Sequence, residues 1–149
     1  MIYQHYTHTT IKDFTIHTDP SLLNVRFIHQ FLSEESYWSE GVEKKDTKEL
    51  LEDELCFGVF HKKEQIGFAS VTSDFSSYAY ISDVFIDKKF ERQGLATWLL
   101  QCILSHPRLK LLPEWMLLTD DAHELYEKIG FKRIAGSADQ MIKYNKKGA

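Results

Sequence analysis

The sequence is poor in cysteine and proline, with 2 cysteines and 3 prolines among 149 residues. Cys56 and Cys102 both stand in apolar surroundings, which indicates buried thiols in a reducing compartment rather than a disulfide or a metal pair. No apolar run approaches the roughly 18 residues that a membrane helix needs. The N-terminal stretch MIYQHYTHTT is too polar for a signal peptide. We therefore expect a cytoplasmic protein.

An excess of positive charge is also missing. The chain has 22 acidic and 18 basic residues and a formal net charge of -4, so a nucleic-acid partner bound through a broad basic surface is not expected. No repeat, low-complexity linker or long run of like charge divides the chain, which predicts one domain over residues 1–149. Residues 1–11 are expected to be a loosely attached extension of it. The histidines have no metal-ligand spacing, so no metal is expected.

The apolar pattern predicts a mixed α/β fold. Strands are predicted at 13–18, 56–61, 65–72, 78–86 and 114–119 and in the segments FKRI and QMIKY; helices are predicted from Asp19 and at 47–55, 94–105 and 121–130, with an exposed loop at 33–45. The strands 56–61 and 65–72 flank a polar turn, which is typical of a hairpin. In the strand 78–86 both faces are largely apolar, one with Val84 and Ile86 and the other with Ile81, Asp83 and Phe85. We therefore expect this strand in the centre of a mostly antiparallel sheet of about six to seven strands, with helices on both faces.

A glycine stands where the helix at 94–105 begins, in the segment RQGLAT. The amide groups of a helix's first turn lack intrahelical partners and lie at the positive end of the helix dipole. A glycine there leaves those amides open, so Gly94 and Ala96 predict an anion site suited to phosphate, with Lys88, Lys89 and Arg92 nearby. An equally supported interpretation is that Gly94 only makes a turn and that Ala96 lets the helix pack tightly on the sheet.

Two sequence blocks resemble the GNAT superfamily of acyl-CoA-dependent N-acyltransferases. The first runs from the strand 80–86 into the loop Arg92–Thr97, and the second is DAHELYEKIGF, with Ala122, Leu125, Tyr126, Gly130 and Phe131 matching the family pattern A-x-x-L-Y-x-x-x-G-F. The resemblance covers roughly residues 13–144. Two positions depart from it, because Glu91 replaces the usual Gln or Arg and Thr119 replaces a frequent Asn.

The resemblance implies a co-substrate site for acetyl-CoA and a function. Backbone groups of Val84, Phe85 and Ile86 would pair with the pantetheine arm, and the amides of Arg92, Gln93, Gly94, Leu95, Ala96 and Thr97 would hold the pyrophosphate. The implied reaction is transfer of an acetyl group from acetyl-CoA to a primary amine by direct attack in a ternary complex. The alternative is an acyl-CoA-binding sensor with weak or no catalysis. Dimers are common in the family, which leaves a homodimer open.

Acyl transfer from a thioester needs a neutral amine and a proton donor for the departing thiolate. Tyr126 matches the family's acid position, although it also lies on the apolar stripe of its helix, which suits a core residue. Asp83 is the leading candidate for the base, because a carboxylate on an apolar central strand is costly unless it is paired or functional. A structural hydrogen bond is the alternative for Asp83. Glu114, His123 and a water molecule also remain open as the base.

Aromatic and acidic residues predict an acceptor pocket suited to a cationic amine. Its candidate lining is Phe31, Tyr37, Trp38 and Tyr80, together with Glu34, Glu35 and Asp74. The competing interpretation of the segment SEESYW is a solvated loop. The identity of the amine does not follow from the sequence.

Overall fold

One mixed sheet runs through the part of the chain that the computed structural model describes, which is residues 2–35, 41 and 43–145. Its eight strands are β1 (His5–Thr7), β2 (Phe14–His17), β3 (Leu55–His61), β4 (Glu64–Ser73), β5 (Tyr78–Ile86), β6 (Glu114–Leu118), β7 (Lys132–Arg133) and β8 (Gln140–Tyr144). They lie in the order β1-β2-β3-β4-β5-β6-β8-β7, and all neighbours are antiparallel except β5 and β6. The described part of the chain also contains four α-helices, which are α1 (Val25–Gln30), α2 (Lys44–Asp53), α3 (Leu95–Ser105) and α4 (His123–Glu127). The predicted mixed fold is confirmed.

Helices cover both faces of the sheet's centre. On one face α3 buries Leu99, Leu100 and Ile103 completely, and each such side chain contributes roughly 1.5–3 kcal/mol. On the other face α1 and α2 pack Ile28 and Leu51 against β3, β4 and β5. The central place predicted for β5 and the hairpin of β3 and β4 are both confirmed. Among the described helices none is long and apolar enough to cross a membrane.

The N-terminal residues are part of the sheet, so the expectation of a loose extension is wrong. His5–Thr7 pairs with β2 as an antiparallel edge strand. Two further hydrogen bonds hold its start: Gln4 N–H donates to Thr18 Oγ1 at 2.7 Å, and Thr18 N–H donates to the Gln4 carbonyl at 3.1 Å. A three-residue strand is too short to show an alternating pattern, and its ladder bonds come from a distant segment. Both cysteines are buried and free of disulfides, as predicted.

The first α-helix begins at Val25 rather than at Asp19. Asp19 instead caps a short 3-10 turn, because its Oδ1 accepts a hydrogen bond from Ser21 N–H at 3.0 Å. The helix has its own N-cap in Asn24, whose Oδ1 accepts from Phe27 N–H at 3.1 Å. Two capping residues close together along the chain therefore divide one predicted helix into a turn and a helix.

The segment after α1 is more helical than predicted. Residues Phe31–Glu35 form a π-helical turn where we expected a loop from residue 33, and α2 begins at Lys44 rather than at residue 47. The exposed face of a helix and a polar loop look alike in sequence, because α2 buries only Thr47 and Leu51. At the other end of the chain, α4 spans five residues, whereas we expected a helix over 121–130.

A β-bulge interrupts β5. Phe85 pairs with Phe68 and Ser82 pairs with Ser70, so two residues of β5, Asp83 and Val84, lie opposite the single residue Ala69 of β4. Asp83 has a φ of 56°, in the left-handed region. The extra residue reverses the alternation of side chains. Our assignment of the strand's faces is therefore wrong beyond the bulge: Ile86 shares a face with Ala79 and Ile81, and Phe85 lies on the other.

Candidate active site

The sheet splits between β5 and β6. These parallel strands pair only where Tyr78–Tyr80 lie beside Glu114–Met116, and no residue of β5 from Ile81 onward pairs with β6 in the described ladder. The space between the diverging strand ends is a cavity of about 320 Å³. One wall is residues 80–84 of β5, and the other is residues 118–122 with Tyr126 and Asp139. The edge of β5 that faces this split is open to an extended ligand, which could add to it as a further strand.

The start of α3 has the open backbone that the sequence predicts. Gly94 is the N-cap with a φ of 79°, and no side chain forms a capping hydrogen bond there. A Cβ built on Gly94 meets no heavy atom within 4 Å, so the space beside this residue is empty of protein. Arg92 also has a positive φ, of 65°, and both residues are exposed. The helix start therefore offers unshielded N–H groups at the positive end of an 11-residue dipole.

The split and the helix start lie at the same end of the sheet. The two parallel strands are paired at their N-terminal ends and part towards their C-terminal ends. From the C-terminal end of β5 the chain passes through a 3-10 turn, Lys88–Phe90, and reaches Gly94 within a few residues. Lys88, Lys89 and Arg92 are exposed along this link. An anion at α3 and a group in the split are therefore within reach of one elongated molecule.

Tyr126 lies in the wall of the cavity and is also part of the core. Its side chain is 7% exposed, and its ring meets Phe131 edge-on with centroids 5.9 Å apart. Thr119 stabilises the turn that leads into α4, the helix of Tyr126, because Thr119 Oγ1 accepts a hydrogen bond from Ala122 N–H at 3.0 Å. Thr119, at the position where the family often has Asn, thus makes a hydrogen bond within this turn.

Asp83 reaches the cavity because of the bulge. The residue is half-buried and lines the wall on β5. Ser70 Oγ lies 3.3 Å from its Oδ2 and donates to it across the strand pair. The structure thus supports a hydrogen bond for this carboxylate and also its contact with the cavity. Both interpretations of Asp83 from the sequence therefore remain open.

The two other candidate bases lie outside the cavity lining. Glu114 pairs with Tyr78 at the closed end of the split, four residues or about 13 Å along β6 from Leu118 in the cavity wall. His123 Nε2 lies 2.8 Å from the Ala138 carbonyl. A carbonyl oxygen only accepts, so Nε2 carries a proton and donates it. His123 therefore connects α4 to the loop before β8.

The predicted acceptor residues are brought together only in part. Tyr80 lines the cavity, whereas Phe31 stacks on Phe85 with ring centroids 3.7 Å apart. Asp74 lies in the turn before β5, at the opposite end of the strand from the bulge, so its assignment to the pocket is wrong. Hydrogen bonds from the side chain and backbone of Ser77 lower the pKa of Asp74. Glu34 is exposed in the π-helical turn; Tyr37, Trp38 and the side chain of Glu35 lie outside the described residues.

Sequence reasoning missed the acidic residues of one cavity wall. Asp139, Asp120 and Asp121 line it together with Leu118, which is 56% exposed. Asp139 is placed by a long-range contact, since its carbonyl accepts from Thr119 N–H at 2.8 Å. The run TDD directly after a buried strand was the available signal for the two neighbouring aspartates. No local pattern announces Asp139.

Comparison with known proteins identifies the fold. A model of the Acetyltransferase (GNAT) family matches residues 25–131. A Gibberella zeae protein, provisionally named an acetyltransferase, is 29% identical, and the match covers 83% of this chain and 81% of that protein. A Xanthomonas campestris pv. campestris structure, provisionally assigned to the same family, is 34% identical with a TM-score of 0.79 over 82% of this chain and 86% of its own. A GNAT acetyltransferase from Elizabethkingia anophelis with acetyl-CoA bound shares the fold, with a TM-score of 0.67 and 16% identity over 91% of this chain and 100% of its own.

The split sheet and the matches define the class of protein as an acetyltransferase. The family model covers well over half of the chain, from α1 through Phe131. The chain belongs to the GNAT family of acetyltransferases.

Proposed function

We propose that this protein transfers the acetyl group of acetyl-CoA to a primary amine by direct attack while both molecules are bound. The observation that carries the proposal is the unshielded start of α3. Gly94 has no side chain, no other side chain caps the first turn, and the space beside Gly94 is empty of protein. A diphosphate suits such a site, because free N–H groups and the helix dipole both favour an anion. The acetyl-CoA bound to the Elizabethkingia anophelis fold relative is consistent with this choice.

The co-substrate would be held mainly by backbone groups. The diphosphate would accept hydrogen bonds from the amides of Arg92, Gln93, Gly94, Leu95, Ala96 and Thr97. The pantetheine arm would lie along the open edge of β5 at Val84, Phe85 and Ile86, as an added strand does. Glu91 is exposed, so solvent screens its charge, and Lys88 and Lys89 on the same link offset it. The departure at position 91 is therefore compatible with the site.

Tyr126 is the proposed general acid. When the amine nitrogen bonds to the thioester carbon and the C–S bond breaks, the sulfur leaves as a thiolate that needs a proton. A thiol has a pKa of roughly 8.5, so a phenol held near the sulfur can supply that proton. The edge-on contact with Phe131 and the bonded turn at Thr119 fix the ring of Tyr126 in the cavity wall. A fixed ring suits a donor that must meet one atom.

Asp83 is the proposed base. An amine at neutral pH carries a proton that it must lose before it attacks. Asp83 lines the cavity on the wall opposite Tyr126, and the hydrogen bond from Ser70 orients its carboxylate. Water remains the alternative base. Glu114 and His123 lose support, because neither lines the cavity.

The acceptor would enter through the cavity between β5 and β6. Tyr80 and Leu118 supply apolar and aromatic surface there. The two departures from the family pattern, Glu91 and Thr119, favour the sensor alternative, but Thr119 has a structural role in its bond to Ala122. No described contact favours a sensor over an enzyme.

The decisive experiment measures release of CoA thiol from acetyl-CoA across a panel of primary amines, with calorimetry of CoA binding beside it. We expect CoA to bind and at least one amine to accelerate thiol release. Binding of CoA without amine-dependent release by any panel member would support the sensor. An absence of CoA binding would contradict the proposed site at α3 itself.

Three further expectations stay predictions. We propose that residues 1–149 act as one domain, because the sheet is continuous from β1 to β7 through the described residues. The other two are a cytoplasmic location and a homodimer. Size-exclusion chromatography with light scattering would determine the oligomeric state.

A further inference from the structure

The cavity between β5 and β6 is strongly acidic. Four of its lining residues are aspartates, Asp83, Asp120, Asp121 and Asp139, and the described lining contains no lysine, arginine or histidine. The whole chain is far closer to balance, with 22 acidic and 18 basic residues. A concave site with one sign of charge concentrates ligands of the opposite sign. Asp120 and Asp121 are exposed and also border Lys128 and Arg133, so the acidic character of the cavity interior rests on Asp83 and Asp139.

Asp139 is held in place on the far wall. Thr119 N–H donates to the Asp139 carbonyl at 2.8 Å, and His123 Nε2 donates to the neighbouring Ala138 carbonyl at 2.8 Å. Ser137 Oγ donates to Asp139 Oδ1 at 3.1 Å, and a hydroxyl is a neutral partner that leaves the carboxylate's charge in place. With two contacts of its own and a third at its neighbour Ala138, Asp139 presents its charge at a defined point.

Tyr80 is part of the wall that β5 forms. It is half-buried on β5 and lines the cavity. Burial raises the pKa of Tyr80, and the charges of Asp139 and then of Asp83 raise it further. Its hydroxyl therefore lies in the negative potential of both carboxylates. The ring also offers a face that attracts cations.

We propose that the preferred acceptor is a short diamine or other amine with a second positive charge, with its reacting nitrogen towards Asp83 and its second ammonium against Asp139 and Tyr80. This inference rests on the proposed function. Asp83 and Asp139 line opposite walls of one cavity of about 320 Å³, so a short aliphatic chain with an ammonium group at each end can contact both carboxylates. Both nitrogens of a diamine are protonated at neutral pH, and only the reacting one has to lose its proton.

Three acceptors of matched length test the proposal. Butylamine, 1,4-diaminobutane and 4-aminobutanoate share the reacting amine and differ in charge at the other end. We expect kcat/KM to be highest for the diamine, about 10- to 100-fold above butylamine, because a charge-assisted hydrogen bond at a partly buried site is worth that much. The aminobutanoate is expected to be the poorest of the three.

Substitution of Asp139 assigns the effect to one residue. Asp139→Asn is expected to lower kcat/KM for the diamine far more than for butylamine and so to remove most of the diamine's advantage, while Asp139→Glu restores part of that advantage. Glu49→Gln, an exposed change on α2, removes the same charge away from the cavity and is expected to leave the advantage intact.

Binding of 1,4-diaminobutane and of butylamine to the protein–CoA complex by calorimetry tests the inference even without turnover. Tighter binding of the diamine that Asp139→Asn abolishes would support it in an inactive protein, where the proposed enzyme function alone would fail. Equal binding of the two amines, or a preference for the aminobutanoate, would overturn the inference while leaving acetyl transfer intact.

Discussion

Replacement of Gly94 by alanine separates the backbone's role in folding from its role in binding. The residue has a φ of 79° and a ψ of 13°, in the left-handed region. Alanine there costs roughly 1–2 kcal/mol, and the lower entropy of the unfolded chain returns about 0.4–1 kcal/mol. No heavy atom lies within 4 Å of the added Cβ, so no steric cost is added. We expect a net loss of about 1 kcal/mol, which lowers Tm by about 2–4 °C.

The effect on CoA binding should be larger than the effect on stability. The new methyl group occupies the empty space beside Gly94, where the diphosphate would accept hydrogen bonds from the N–H groups of the helix start. Loss of one charge-assisted hydrogen bond costs roughly 1.5–3 kcal/mol. The Kd for CoA should therefore rise about 10- to 100-fold in a calorimetric titration.

Gly136→Ala is the matched control for this experiment. Gly136 has a φ of 87°, and its added Cβ also meets no heavy atom within 4 Å. It lies in the turn between β7 and β8, away from the start of α3. The control should lose the same stability and keep its affinity for CoA. If Gly94→Ala bound CoA as tightly as the wild type, or if both variants lost affinity equally, the assignment of the diphosphate to these amides would be wrong.

Three other substitutions test separate parts of the structure. Tyr126→Phe keeps the ring and removes the hydroxyl, so kcat should fall about 100-fold or more while the affinity for CoA is unchanged; an unchanged kcat from about pH 7 to pH 9 would exclude Tyr126 as the acid. Thr119→Val leaves the amide of Ala122 without its acceptor, so the free energy of unfolding should fall by about 1 kcal/mol in urea titrations, and no change would contradict the role given to that bond. Burial and the nearby Arg108 lower the pKa of His106, and its Nδ1 accepts from Arg108 N–H at 3.1 Å, which requires the neutral ring. Below about pH 6.5 the unfolded chain therefore binds more protons at this site than the folded chain. The stability should be fully present above that pH and fall below it, and His106→Gln should flatten the slope between about pH 7 and pH 5; an identical slope would contradict this.

The order of the elements follows from local patterns. The hairpin of β3 and β4 is bounded by a polar turn, and α3 begins at a glycine and ends before Pro107. Such signals depend on residues close together in the chain, so they can be interpreted without the rest of the molecule. The position of Gly94 at the N-cap is confirmed for the same reason.

Contacts between distant segments are what the sequence conceals. The strand β1 exists because β2 supplies its ladder, and Asp139 reaches the cavity because Thr119 binds its carbonyl. Neither segment has a local pattern that distinguishes it from a polar loop. The acidic charge of the cavity therefore becomes visible only when strands β5, β6 and β8 are assembled.

The bulge at Asp83 is a further feature that the sequence does not reveal, and it shapes the proposed site. Strict alternation along β5 would put Asp83 beside Ala79 and Ile81, in the face buried by α3, where a carboxylate is costly. An aspartate tolerates the left-handed region better than most residues, so no glycine is needed and the sequence does not announce the bulge. A bulge bends its strand, and β5 parts from β6 in the segment that contains it. The same extra residue thus brings Asp83 to the cavity wall and opens the edge on which a co-substrate could lie, which is why the strain of Asp83 falls at the proposed site.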